Sequence, residues 1–233
     1  MQKMAFNKAR AKAKTIAALV STLGLVSLSN HATAGLLVGH LTDKNAQSVS
    51  NAVLFATPLD TPTPPKKAGD TSIVAQENYA FSPYLTVVRS GSLVRFPNKD
   101  NHEHHLKSFS PAKTFELRVN SKKEEPAPIL FDKTGEVALV CHFHDWMRGF
   151  IYVVDTPYFT KTDASGNAVI NNLPAGKYEV KAWAPNMLGE PLAQTVQVLA
   201  DGSSNVKFQF NFVPKAPPAP RNLSKGPATF GYD

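Results

Sequence analysis

The chain has 233 residues, of which 25 are Lys or Arg and 18 are Asp or Glu, and its formal net charge is +7. Five of the basic residues and none of the acidic ones lie in the first 34 positions, so the following 199 residues carry only +2. A nucleic-acid-binding protein needs its basic residues on the folded domain, and this distribution therefore excludes that class. The 199 residues are enough for one large or two small domains with their own cores.

Residues 1–34 have the pattern of a secretory signal peptide. Five basic residues precede an apolar run at 15–28, and Ala32-Thr33-Ala34 closes the segment with the small residues typical of a cleavage site. The apolar run is shorter than the roughly 20 residues that span a bilayer, which disfavours a membrane anchor. We therefore predict cleavage before Gly35, export to the periplasm and no membrane attachment of the cleaved protein.

From residue 35 onward the pattern is typical of β structure. Short runs rich in Val, Ile, Phe and Tyr alternate with Gly, Pro, Asn and Asp, and no stretch of a dozen residues keeps apolar positions at helical spacing. We predict an all-β fold of one or two sandwiches, with strands at 87–96, 114–119, 136–141, 150–154, 178–183, 195–199 and 206–212.

Proline-rich segments mark the predicted joints of the chain. Residues 60–68 hold three prolines and two lysines, and residues 155–157 form a second boundary. The five prolines of residues 214–233 predict a disordered tail. After the signal peptide we therefore expect N-terminal strands with a linker at 35–68, a first sandwich at 69–155, a second at 156–213 and the tail at 214–233.

Cys141 is the only cysteine of the chain. A single cysteine cannot form an internal disulfide, and an exposed thiol in an exported protein is open to oxidation or intermolecular pairing. We therefore expect Cys141 to be protected, and a bound metal is the favoured explanation.

Five of the six histidines after position 34 lie in two segments, 96–106 and 141–149. In the second segment a predicted strand ends at Cys141 and another begins soon afterwards, so His144 and Met147 lie on the connecting loop. Such a loop can bring these three side chains to one point, where a distant histidine would complete the site. Two imidazoles, a thiolate and a weak thioether suit copper that cycles between two oxidation states, whereas zinc more often takes four strong ligands.

The spacing Cys141-x2-His144-x2-Met147, followed by Arg148-Gly149 and an apolar strand, resembles the ligand loop of the cupredoxins of the plastocyanin and amicyanin branch. Upstream, Phe96-x-Asn98-x5-His104-x-Leu106 resembles the segment in which that family carries its first ligand histidine. The resemblance covers roughly residues 75–155. It implies a cupredoxin Greek-key sandwich that binds one type 1 copper, with the ligands His104, Cys141, His144 and Met147.

Departures from the family pattern leave other ligands open. His105 stands where the family usually has Asn or Pro, and His142 directly follows Cys141. His102, His105 or His142 could therefore replace or supplement a ligand. By analogy with the family, Asn98 would hydrogen-bond across to the strand of Cys141 and hold the two loops together.

The segment after the predicted copper domain has its own signature. Turn signals at 161–166 and 173–180 bracket alternating strands, and the segment resembles the transthyretin-like sandwich of carboxypeptidase regulatory domains. The combination resembles bacterial proteins labelled methylamine utilization proteins. Residues 35–57 either open this second sandwich, so that the copper domain is an insertion, or complete the cupredoxin sheet, and periodicity leaves both arrangements open.

The resemblance implies a periplasmic carrier of single electrons that meets redox proteins through small, transient interfaces. The alternative function is a periplasmic copper carrier or sensor that uses the surplus histidines. A hydrolase with Cys141 as nucleophile and His144 as base would also need an orienting group and an oxyanion site. His102-x-His104 and His142-x-His144 are single occurrences and not the paired His-x-His motifs of a multicopper oxidase, and we expect no catalytic residues and no enzyme activity.

Overall fold

The computed structural model describes residues 34–66, 70–120, 125–200 and 202–219. These residues form β-strands and turns without an α-helix, which confirms the predicted all-β fold class. None of them belongs to a helix long and apolar enough to cross a bilayer. The predicted signal peptide lies outside the described residues except for Ala34, and so does the predicted tail from residue 220 onward.

The strands are numbered in chain order. They are β1 (Ala34–Thr42), β2 (Val53–Pro58), β3 (Thr71–Ile73), β4 (Ala75–Glu77), β5 (Ala80–Ser82), β6 (Leu85–Arg89), β7 (Ser92–Arg95), β8 (His104–Ser110), β9 (Lys113–Val119), β10 (Ile129–Phe131), β11 (Gly135–Cys141), β12 (Arg148–Val154), β13 (Phe159–Lys161), β14 (Asn167–Pro174), β15 (Gly176–Trp183), β16 (Leu192–Val198) and β17 (Ser203–Gln209).

The first sandwich consists of strands β3 to β12. One sheet has the order β6-β12-β11-β8-β9, the other has the order β10-β7-β3, and β4 and β5 form a short hairpin. Alternate residues of β11 point into the core, because its burial pattern switches at every position from Val137 to Cys141. Apolar side chains from both sheets form one cluster, which includes Val94, Leu106 and Leu139.

The prediction of a single strand at 87–96 was wrong. The chain turns at Ser90 and Gly91, where Gly91 has a φ of 80°, a conformation that glycine adopts without a steric penalty. Strand β6 before the turn pairs in parallel with β12, whereas β7 after it pairs with β10 and β3 in the other sheet. One apolar run therefore supplies both layers of the first sandwich.

The second sandwich contains the N-terminal strands. Strand β1 lies between β14 and β17, and β2 lies between β13 and β15 in a sheet completed by β16. Buried side chains of both sheets, among them Leu37, Leu54, Tyr178 and Phe208, form its core. Of the two arrangements that the sequence left open, the chain adopts the one in which the first sandwich interrupts the second between β2 and β13.

Strand β12 packs against both sandwiches, and six of its seven residues are buried. Ile151 and Val153 belong to the core of the first sandwich, whereas Phe150 and Tyr152 pack with Trp183 of β15. A strand buried on both faces has a continuous apolar sequence rather than an alternating one, and this explains the run Phe-Ile-Tyr-Val-Val. Two of the metal-binding candidates, His144 and Met147, lie on the connection that leads into this strand.

Candidate metal centre

Cys141 ends the row of core-facing residues on β11 and is 4% exposed. Its backbone N–H donates to the carbonyl of Met147, at 3.2 Å. The connection from β11 to β12, residues 142–147, therefore closes on itself and is called the ligand loop below. Alternate side chains of β11 point into the core, and the hydrogen bond to Met147 folds the ligand loop back over the end of that strand. The Sγ atom of Cys141 therefore lies at the end of the core, beneath the ligand loop.

His104 reaches the same point from the neighbouring strand. Strand β8 pairs with β11 so that Leu106 is opposite Cys141, and His104 lies two residues away on the same face of β8. Its side chain is fully buried, and its Nδ1 atom lies 3.8 Å from Sγ of Cys141. The backbone N–H of His142 also donates to the carbonyl of His105, at 2.8 Å, which ties the ligand loop to β8.

His144 approaches from the ligand loop itself. Its Nδ1 atom lies 3.5 Å from Sγ of Cys141, and its ring centroid is 5.1 Å from that of His104. The carbonyl of His144 accepts a hydrogen bond of 2.9 Å from the N–H of Met147, so a tight turn sets the direction of the ring. The side chain of His144 is only partly buried, whereas those of His104 and Cys141 are buried.

Met147 is 1% exposed and belongs to the same apolar cluster as Cys141. It also lines a cavity of about 280 Å³, together with Trp146 and with Pro217 and Pro218 of the C-terminal segment. The buried thioether and the turn that carries it fit a role as a weak ligand beside the two imidazoles.

The metal-binding atoms of His104, Cys141 and His144 lie within 4.8 Å of one another. Bonds from zinc to histidine nitrogen or cysteine sulfur are about 2.0–2.3 Å long, so separations of 3.5 and 3.8 Å from Sγ match ligands that share one first-row metal ion. The structure thus brings together the predicted cysteine and both predicted histidines, and the predicted methionine is buried in the same apolar cluster as the cysteine.

The charges of the site favour a deprotonated thiol. Burial acts to raise the pKa of Cys141, but hydrogen bonds from His104 and from two backbone N–H groups outweigh it, and the pKa is lowered. Burial acts to lower the pKa of His104, but the contacts with Cys141 and Asp100 outweigh it, and the pKa is raised. The pKa of His144 is lowered, first by burial and then by the charge of His104. The thiol of Cys141 and the imidazole of His144 therefore give up their protons more readily than usual, and metal ligands must be deprotonated.

Sequence reasoning missed Asp100 and Tyr79. The carboxylate of Asp100 lies 2.9 Å from Nε2 of His104, and the ring of Tyr79 packs edge-on against His104 and His144, with centroids 6.0 and 5.0 Å away. Asp100 had one signal in the sequence, its position four residues before His104. Tyr79 had no signal in the sequence, because it lies more than twenty residues before His104.

The surplus histidines lie outside the three-residue cluster. His105 follows His104 on β8 and faces the other way; its Nε2 atom is 2.5 Å from a carboxylate oxygen of Glu116, and its ring contacts His142. The ring of His102 packs on Tyr79.

Asn98 has a different role from the one that the resemblance implied. Its side-chain amide donates to the carbonyls of His102 and Val119, at 2.7 and 3.1 Å, and its Oδ1 atom accepts from the N–H of Asp100, at 2.9 Å. These partners lie in its own loop and at the end of β9 rather than on the strand of Cys141. Because the side chain turns inward, Asn98 shapes the loop that leads to His104.

Comparisons with known proteins give partial matches. A family profile described as "Polysaccharide lyase family 4, domain II" matches residues 135–206, from β11 of the first sandwich into β17 of the second. No curated protein sequence matches the chain.

Among solved structures, similar chains include cupredoxins. A purple cupredoxin from Nitrosopumilus maritimus is 23% identical over 37% of this chain and 100% of its own, with a TM-score of 0.31. The reduced state of an amicyanin point mutant is 21% identical over 43% of this chain and 99% of its own, with a TM-score of 0.32. A copper-containing nitrite reductase from Thermus scotoductus SA-01 is 21% identical over 42% of this chain and 25% of its own, with a TM-score of 0.34.

Proposed function

We propose that this protein is an exported, periplasmic electron carrier that binds one type 1 copper ion through His104, Cys141, His144 and Met147. The observation that carries the proposal is the convergence of two imidazole Nδ1 atoms on the one cysteine Sγ atom, at 3.5 and 3.8 Å. The buried methionine on the same loop supports it further.

The donor set favours copper over zinc. A structural zinc site is usually closed by four strong ligands, whereas here the fourth candidate is a thioether, which is a weak ligand. Thiolate and thioether sulfur with two imidazoles suit a soft or borderline metal, and this combination is typical of blue-copper sites. Copper in such a site supplies a one-electron couple between Cu(I) and Cu(II).

The protein residues contribute rigidity and exclusion of water. His104 and Cys141 lie on paired strands, and the hydrogen bond between the Cys141 N–H and the Met147 carbonyl closes the ligand loop. Ligands held in this way move little when the charge of the metal changes, which keeps the barrier to electron transfer low. Because His144 is only partly buried, its ring is the proposed exit for the electron.

The partners of this proposal are periplasmic redox proteins that dock briefly over the ligand loop. Small interfaces are typical of such electron-transfer encounters. The second candidate function is a copper carrier or sensor. It draws on exposed His102 and His142 near the site, which offer imidazoles for metal handover.

The test is a titration of the chain from residue 35 with Cu(II), followed by visible absorption and electron paramagnetic resonance, on the wild type and on Cys141→Ser. We expect an intense thiolate-to-copper band that saturates at one equivalent, with narrow hyperfine splitting, and the loss of both in the variant. His142→Ala is the matched control and should keep the band. Colourless binding of several equivalents that survives Cys141→Ser would favour the copper carrier instead.

Electron transfer itself needs a separate measurement. Voltammetry of the copper-loaded protein should give a reversible one-electron wave. A coloured site without reversible reduction would contradict the electron-carrier function even though copper is bound.

A further inference from the structure

Asp100 lies in the loop before β8, and its carboxylate is nearly enclosed, with 10% of the side chain exposed. Its Oδ2 atom is 2.9 Å from Nε2 of His104. The backbone N–H groups of Asn78 and Tyr79 donate to its two oxygens, at 2.7 and 3.0 Å. Among the described residues the carboxylate therefore has three partners, and His104 is the one of them that also faces Cys141.

The two nitrogens of the His104 ring have different neighbours. Nδ1 faces Sγ of Cys141, and Nε2 faces the carboxylate of Asp100. An ionised carboxylate only accepts hydrogen bonds, so Nε2 keeps its hydrogen, and Nδ1, facing Sγ, is the nitrogen that can exchange its proton for a metal ion. The partner of one ring nitrogen thus decides which nitrogen binds the ion.

The turn that holds Asp100 has an unusual backbone. Asn78 and Tyr79 both have positive φ values, 55° and 56°, which is uncommon for residues other than glycine and has an energetic cost for a bulky side chain. In this conformation both N–H groups point at the carboxylate. The ring of Tyr79 also packs on His104 and His144, which offsets part of that cost.

We propose that Asp100 is a positioning residue that fixes the Nδ1 atom of His104 as the metal ligand and lowers the reduction potential of the bound copper. This inference rests on the proposed function. A negative charge hydrogen-bonded to a ligand imidazole makes that imidazole more basic, and it stabilises Cu(II) more than Cu(I) because the attraction grows with the charge of the ion. Asp100 should therefore tighten the binding of Cu(II) more than that of Cu(I).

The first experiment compares Asp100→Asn with wild type by voltammetry and by separate Cu(II) and Cu(I) affinity measurements. Loss of a hydrogen-bond partner behind a metal-ligating histidine typically costs about 10- to 100-fold in metal affinity. We expect at least tenfold weaker Cu(II) binding with little change for Cu(I), and a tenfold change in that ratio raises the potential by about 59 mV. Equal losses for both ions at an unchanged potential would overturn the inference, because a merely structural role has that signature.

The matched control is Asp145→Asn. Asp145 is an exposed neighbour of His144, and its charge acts on that histidine, but among the described residues its carboxylate forms no hydrogen bond with a ligand ring. The substitution therefore removes one negative charge near the copper without removing a ligand hydrogen bond. A potential shift as large as that of Asp100→Asn would also overturn the inference, because the effect would then be one of net charge.

A second readout does not depend on copper redox chemistry. Zn(II) is diamagnetic and binds thiolate and imidazole, so nitrogen-15 spectra of the Zn(II)-loaded protein report which nitrogen of His104 carries hydrogen. We expect an Nε2–H signal that exchanges slowly with water in the wild type and rapidly in Asp100→Asn. If the copper protein lacked type 1 spectra but this signal behaved as expected, only the proposed function would fail. Rapid exchange in the wild type would overturn the role of Asp100 alone.

Discussion

Tyr152 of the first sandwich stacks on Trp183 of the second, with ring centroids 4.4 Å apart and ring planes 24° from parallel. Both rings are buried, and Phe55 and Phe150 pack around them. Because Tyr152 lies on the strand that follows the ligand loop, this contact couples the second sandwich to the strand next to the candidate metal centre.

The first prediction concerns this contact. Trp183→Ala removes a large buried side chain, and such truncations typically cost about 3–5 kcal/mol of unfolding free energy. Urea unfolding followed by fluorescence and circular dichroism should show a lower midpoint for both sandwiches. Leu188→Ala is the control, since Leu188 is 94% exposed and its loss should change the midpoint little. A loss below about 1 kcal/mol for Trp183→Ala, well short of the usual cost of such a truncation, would contradict the coupling.

The second prediction concerns which histidine completes the site. His104→Ala should abolish the one-equivalent copper band, whereas His105→Ala and His102→Ala should keep it. The reason is that, of these three histidines, His104 directs a ring nitrogen toward Sγ of Cys141, whereas His105 faces Glu116 and His102 packs on Tyr79. Visible absorption of the three copper-loaded variants checks this. Loss of the band in His105→Ala with its retention in His104→Ala would reverse the ligand assignment.

The third prediction concerns the loop before β8. Asn98→Ala leaves the carbonyls of His102 and Val119 without their amide donor, and each buried group left unsatisfied costs about 1–3 kcal/mol. We expect lower stability in urea together with weaker copper binding, because the loop that leads to His104 loses its internal support. Asn205→Ala, on an exposed position of β17, is the control. Unchanged copper affinity would show that the loop keeps its shape without Asn98.

The fourth prediction is a pH dependence away from the metal centre. Burial raises the pKa of Glu136 on β11 above its ordinary value of 4.5. An acid whose folded-state pKa is raised contributes stability below its unfolded-state pKa and loses that contribution as the pH rises through the folded-state pKa. At pH 7 the half-buried carboxylate is therefore destabilising.

Glu136→Gln should accordingly raise the unfolding free energy at pH 7. The difference from wild type should shrink as the pH falls toward 4, where the carboxyl group takes up its proton. Urea unfolding at pH 4, 5.5 and 7 measures this difference in unfolding free energy. Glu190→Gln, at an exposed position, is the control. A gain that does not vary with pH would show that burial of the charge is not its cause.

The sequence by itself determined the parts of this protein that depend on neighbours along the chain. Alternating apolar residues and turn residues predicted the all-β class, since a strand shows its two faces at every second position. The spacing from Cys141 to Met147 predicted the ligand loop, because three candidate ligands within seven residues can meet through a single turn. His104 was selected among three histidines only through the resemblance to cupredoxins.

Only the tertiary structure decided the parts that depend on pairing between distant segments. The apolar periodicity of β1 and β2 suits either sandwich. Their strand partners all lie at or after residue 159, and this pairing assigns both strands to the second sandwich. The run at 87–96 divides between two sheets because the turn at Gly91 redirects it. Asp100 and Tyr79 meet His104 through a turn and a register that local sequence does not encode, because side-chain contacts across loops arise only when the strands on either side have paired.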